Sequence, residues 1–190
     1  MLICCILLLV MCMKVIYLDI DKCDIKLLDT DTKYVVFAND LSRVKDFINL
    51  EIKPIFILNQ GAYIIDLDNK NVIIKEPILK EKVDIIVDYC NKHNVSYDFK
   101  KVGSDIFEII LNTDNVHRRL IIPYYFKDYV SLVKCNVKDD KIYVINQNVS
   151  ILRAIEEVDD YLNIGGNILE IDDIYQHIKG IGYFKERKVV

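Results

Sequence analysis

The chain has 190 residues, 52% of them hydrophobic and 28% charged, which supplies a buried core and excludes a disordered chain. Its length bounds it to one domain, or one domain with an inserted subdomain. The formal net charge of −4 argues against a dedicated nucleic-acid binder, which would carry a basic field.

Residues 1–13 are almost wholly apolar, running Met-Leu-Ile-Cys-Cys-Ile-Leu-Leu-Leu-Val-Met-Cys-Met. A membrane-spanning helix needs about 20 such residues. No basic stretch precedes the run and no small-x-small cleavage site follows it, as a cleaved signal would require. Three readings stand side by side: a dispensable extension with Met11 or Met13 as the true start, a membrane-associating segment, and an uncleaved anchor. The first is preferred, giving a cytoplasmic protein, with membrane association through residues 1–13 as the alternative. Six cysteines without a CxxC or a Cys/His cluster fit a reduced interior and no structural zinc site.

Lys14 to Asp21 follows as an apolar strand ending in two acids, Asp19 and Asp21. Side chains two positions apart on an extended strand share a face, so the two carboxylates are expected together, with a metal ion to relieve their repulsion. The alternative is a strand end that simply meets solvent. Tyr34–Ala38 reads as a second buried strand. Asn39 or Asp40 then caps a helix whose apolar face is Leu41, Val44, Phe47 and Ile48. Lys53–Leu58 is a third strand, ending at Asn59-Gln60-Gly61-Ala62. This alternation predicts an α/β unit with a parallel sheet.

The middle of the chain changes character. Tyr63–Asp66 and Val72–Lys75 flank a turn and read as a hairpin. Leu79–His93 carries a helical stripe of Val83, Ile86, Val87 and Cys90. Strands are expected at Val95–Lys100, Ile106–Leu111, Leu120–Pro123 and Lys141–Ile145, with a helix near Phe126–Val133. Together these form an inserted α+β block, so the expected organisation is an extension at 1–13, a core at 14–62 and 146–190, and an insertion at 63–145. The last part returns to α/β. Ile151, Ile155, Val158 and Leu162 mark a helix ending at Gly165-Gly166, and Asn167–Ile171 is a strand ending at Asp172 and Asp173. Acids at two strand ends of one sheet would converge into an oxygen-rich site suited to Mg²⁺ and phosphate chemistry.

The order and spacing of these segments resembles the haloacid dehalogenase (HAD) superfamily, in its Cof-like branch of capped phosphatases. Lys14–Asp21 resembles the first motif, Val35–Asn39 the strand of the second, and Ile57–Asp66 the Asn-Gly-Ala passage into the cap. Asn148–Ile164 resembles the helix after the third motif, and Ile168–Phe184 the acidic fourth motif with the strand that follows it. The resemblance implies a HAD-like Rossmannoid core with an inserted α+β cap and a Mg²⁺-dependent phosphatase of a small phosphorylated metabolite, at full or reduced activity. It makes Asp19 the nucleophile and a metal ligand, and Asp21 the general acid/base and a metal ligand. Asp172 and Asp173 would complete the metal site, and Asn39, Asn59 and Gly61 would bind substrate. The departures from the pattern are specific. Lys22-Cys23 stands where Gly-Thr is usual, Asn39 replaces a Ser or Thr, Ile151 occupies the place of a lysine, and Tyr175-Gln176 replaces an Asn-Asp pair. The segment between Asp21 and Tyr34 is also short for the usual first helix. These losses leave a second reading open, a catalytically inactive relative that binds a ligand or a protein.

Overall fold

The computed structural model describes residues 14–22, 25–39, 41–162 and 185–188. The apolar segment 1–13, Asp40, the strand expected at 167–171 and its acids Asp172 and Asp173 lie outside the described residues.

Two sheets organise the chain. The first has six strands: β1 (Lys14–Asp19), β2 (Thr32–Ala38), β3 (Ile55–Leu58), β4 (Tyr63–Asp66), β5 (Asn71–Lys75) and β10 (Lys185–Lys188), in the order β10-β1-β2-β3-β4-β5. The β1–β2 and β2–β3 pairings are parallel, and β10, β4 and β5 add antiparallel strands on either side. β3 is a four-residue run of Ile-Phe-Ile-Leu buried on both faces, as expected of a central parallel strand. On one face Val15, Tyr17, Val35, Ile55 and Ile57 pack against Ala154, Ile155 and Val158 of α4 (Ile151–Tyr161). On the other face Ile16, Leu18, Val36, Phe56 and Leu58 pack against Val44 and against Phe47 of the short helix α1 (Lys45–Ile48). The odd–even split between the two clusters is the strand period written into the sequence. Helix α1 is shorter than expected: Leu41–Val44 forms a turn, Leu41, Val44 and Phe47 pack on the core, and Ile48 is exposed.

The second sheet has four antiparallel strands in the order β6-β7-β9-β8: β6 (Ser96–Val102), β7 (Asp105–Asn112), β8 (Val133–Lys138) and β9 (Lys141–Asn146). Helices α2 (Lys80–His93) and α3 (Val116–Tyr129) pack on one face, around Val83, Ile86, Cys90, Ile109, Ile122 and Phe126. The hairpin expected to open the insertion, β4–β5, is hydrogen-bonded into the first sheet through β3, because Ile64 and Ile74 complete the cluster under α4. The excursion to the second sheet therefore leaves after Lys75 and returns after Asn146. The two crossings are tied together by Asn146 Nδ2 donating to the Pro77 carbonyl at 3.1 Å and by Arg153, whose guanidinium meets Glu76 at 2.7 Å and donates to the Asn148 carbonyl at 3.2 Å.

The strand expected at Leu120–Pro123 and the helix expected at Phe126–Val133 are one helix, α3, followed by β8. Asn115 caps it by accepting the Arg118 N–H at 3.1 Å. Pro123 removes one intrahelical hydrogen bond, but Ile122, Phe126 and Val130 are buried at helical spacing and hold the turn against the sheet.

Candidate functional site

Three parallel strand ends meet at one edge of the first sheet. Asp19 is in register with Phe37, and Ala38 with Leu58. Asp19, Asn39 and Asn59 thus leave adjacent strand ends, with roughly 4.8 Å between neighbouring strands. Ligand sites of parallel α/β sheets form at such carboxyl ends. Ile16 and Leu18 anchor β1 on one face and Val15 and Tyr17 on the other, so the strand that carries Asp19 is held from both sides.

The extended chain expected through Asp21 stops at Asp19. Ile20–Lys22 is a 3-10 turn, with Ile20 driven into the core. The Asp21 backbone N–H donates to Asp19 Oδ1 at 3.0 Å. This local turn, and not strand parity, brings the two acids together. Asp19 is half-buried and the Asp21 carboxylate is exposed. Asn39 is exposed at the end of β2.

Asn59 is buried, and its side-chain oxygen has no hydrogen-bond partner among the described residues. A buried carbonyl of this kind normally has a donor, so the Asn59 oxygen is an unsatisfied acceptor at the end of β3 among the described residues. Asn59, Gln60 and Gly61 have φ of 49°, 59° and 96°, a left-handed run that reverses the chain between β3 and β4. Gly61 is demanded by packing as well as by its φ: a Cβ there would lie 2.8 Å from both the Ala154 Cβ and the Ser150 carbonyl oxygen.

Arg43 and Gln60 had not been singled out in the sequence. Arg43 Nε lies 3.9 Å from Asp21 Oδ1, and its Nη1 lies 3.3 Å from Asp46. A cation one turn beyond the end of the second strand was the available signal. Gln60 Nε2 donates to Glu108 Oε1 at 2.6 Å, and Asn136 Nδ2 donates to Gln60 Oε1 at 3.0 Å, joining the β3–β4 loop to the second sheet. Glu108 is buried, and burial pushes its carboxyl above the usual range against the opposing effects of the Gln60 hydrogen bond and the Lys100 charge. An acid inside the apolar run Ile106-Phe-Glu-Ile-Ile-Leu111 was its signal. In the row Lys100–Glu108–Ile145–Lys134, which crosses all four strands of the second sheet, Lys134 reaches the Val149 carbonyl, and burial lowers its pKa.

Ile151, at the position where the resemblance expects a lysine, is the first residue of α4 and packs into the cluster beneath it. Arg153 is committed to Glu76, Glu157 and the Asn148 carbonyl. All-oxygen donors suit a hard divalent cation, and Asp19 with Asp21 supplies that chemistry. Among the described residues, no group of three or more His, Cys, Asp or Glu side chains is placed to hold a metal. No helix among them is long and apolar enough to cross a membrane.

The chain is thus an α/β core with adjacent parallel strand ends, Asp19 closing the first strand and Asp21 in the turn beyond it, and an α+β excursion beyond the hairpin. A family model of haloacid dehalogenase-like hydrolases matches residues 33–179. The chain belongs to the haloacid dehalogenase-like hydrolase family. The match begins beyond Asp19 and Asp21, so it rests on the sequence that follows them. Among solved structures, the chain is similar to a haloacid dehalogenase-like hydrolase from B. subtilis at 14% identity and TM-score 0.61, covering 80% of this chain and 79% of that one. It is similar to another from Bacteroides thetaiotaomicron at 9% identity and TM-score 0.64, covering 80% and 77%. A third similarity is to BT1666 of the same organism, described among phosphatases of the haloalkanoate superfamily, at 11% identity and TM-score 0.59, covering 80% and 74%. At these identities the likeness carries the fold. Comparison with curated proteins gives no match.

Proposed function

We propose that the chain is a divalent-metal-dependent phosphatase, with Mg²⁺ as the metal, acting on a small phosphorylated metabolite. The observation that carries this reading is Asp19 at the end of β1, flanked by the ends of β2 and β3 and linked to Asp21 by a 3.0 Å hydrogen bond. In this reading an Asp19 oxygen attacks phosphorus, the phosphorus–oxygen ester bond breaks, and Asp21 gives its proton to the leaving oxygen. Asp21 then takes a proton from the water that releases phosphate from Asp19. The Asn39 amide donates to phosphoryl oxygens. Mg²⁺ bound by Asp19, Asp21, Asp172 and Asp173 would offset the negative charge of the phosphoryl group. The second sheet with α2 and α3 serves as a cap that closes over the substrate, and the Gln60–Glu108–Asn136 contact supports that role because it joins the two sheets beside the site. A cytoplasmic setting is supported by Cys90 and Cys135, which are free thiols.

The test is hydrolysis of a panel of sugar and nucleotide phosphates, with and without Mg²⁺, beside Asp19→Asn. Metal-dependent turnover that the variant loses is the expected result. One observation favours a second reading, a non-catalytic relative that binds a phosphorylated ligand: Ile151 is apolar at the point where a cation would pair with the phosphorylated carboxylate. A folded protein with no turnover on the whole panel would replace the first reading with the second.

A further inference from the structure

Helix α3 is apolar on both sides. Ile122 and Phe126 face the second sheet, while Leu120, Ile121, Tyr124 and Tyr129 are each at least 60% exposed on the outer side. At 100° per residue, His117, Ile121, Tyr124 and Asp128 fall on one line diametrically opposite the buried stripe. Their 4-3-4 spacing is that of a helix–helix seam.

We propose that this seam is the contact of a twofold homodimer, in which α3 packs antiparallel against α3 of a second copy. The occupant follows from the order of the residues. A twofold axis between residues 122 and 123 sets His117 of each copy against Asp128 of the other, and Ile121 against Tyr124. A nitrogen donor meets a carboxylate at both ends, and apolar contact fills the middle. A parallel arrangement would set Asp128 against Asp128. A lipid surface would favour cations along the seam, whereas an acid lies on it and Arg118 and Lys127 lie at its margins. The tyrosines extend the patch toward α2, with Tyr125 stacked on Tyr129 at 4.7 Å and tilted against Tyr89 at 4.8 Å. Rigid aromatics of this kind make good contact area at small entropic cost.

A two-helix contact is at the small end of stable interfaces, so dissociation in the range of about 1–50 µM is expected. The experiment is sedimentation velocity of the full chain across that range, with circular dichroism to confirm that each variant is folded. The wild type should pass from monomer to dimer, and Tyr124→Glu should remain monomeric. His117→Asp, which sets acid against acid at both ends of the seam, should weaken the dimer about tenfold. His117→Asp combined with Asp128→His should recover most of that loss. A wild type that is monomeric throughout overturns the proposal, and so does a dimer indifferent to Tyr124→Glu and to the charge exchange.

Discussion

Replacing Gly61 by alanine should unfold the protein at markedly lower denaturant without touching any charged group. The added Cβ would sit 2.8 Å from the Ala154 Cβ and 2.8 Å from the Ser150 carbonyl oxygen, where carbon contacts normally lie at about 3.5–4.0 Å. Neither neighbour is the free end of a flexible side chain. Ala154 belongs to α4, and the Ser150 carbonyl accepts the Ala154 N–H at 3.0 Å as the helix begins. Relief therefore requires α4 to move off the sheet or the loop to change path. Overpacking of this kind costs about 1–3 kcal/mol, and an alanine held at φ 96° adds about 1–2 kcal/mol. The sum, about 2–5 kcal/mol, should lower the urea midpoint by about 1 M or more at a slope near 2 kcal/mol/M. Combining the change with Ala154→Gly should cost less than the two single losses added, because one of the two clashes is removed. A Gly61→Ala protein with a wild-type midpoint would refute the close approach of the loop to α4.

Three further outcomes follow from charged groups. Asp66 is buried among the Asn69 amide, the Lys33 ammonium at 3.1 Å, the Tyr161 hydroxyl at 3.1 Å and the Asp68 N–H. Burial alone would raise its pKa, but Asn69, Lys33 and the Asp68 N–H together hold it below the ordinary value of 3.8. The stability it contributes is full above that value and is lost as pH falls through the lower folded value. Lys33→Met should cost about 2–4 kcal/mol at neutral pH by leaving a buried carboxylate short of its cation, and its urea midpoint should lose much of the acid dependence expected of the wild type. Glu108 has the opposite sign: its pKa is raised from 4.5, so the native state is best below that pH and loses stability as pH rises through the folded value. Glu108→Gln, which keeps an acceptor for Gln60, should therefore gain on the wild type in thermal unfolding as pH rises from 4 to 7, and a constant difference would contradict a buried acid. Arg43→Ala should leave the unfolding midpoint within about 0.5 kcal/mol of wild type, since its ion pairs are partly exposed. Under the proposed reaction it should lower kcat/KM on a phosphate ester, and an unchanged value would remove Arg43 from the site.

Much of the core was legible in the chain because its signals are local. The apolar run within Lys14–Asp19, the fully apolar Ile55–Leu58, and the stripe of Val83, Ile86 and Cys90 each specify an element from neighbours a few residues apart. The acids at the end of the first strand were visible for the same reason, as was the α/β class to which the family match corresponds. Sequence periodicity misread α3, where a β-branched run ending in Pro123 has the look of a strand. A helix won because Ile122, Phe126 and Val130 had a sheet to bury against, a tertiary gain larger than the lost hydrogen bond. The hairpin at Tyr63–Lys75 was recognised, but its place in the first sheet was decided by pairing with β3 and cover from α4. The joining of Gln60 to Glu108 and Asn136 likewise spans residues 48 and 76 positions apart. Local pattern therefore determined most of the elements and where the acids sit, and packing decided α3. The packing of distant segments decided which sheet each strand joins and which buried polar groups find partners, because those energies exist only once the segments are side by side.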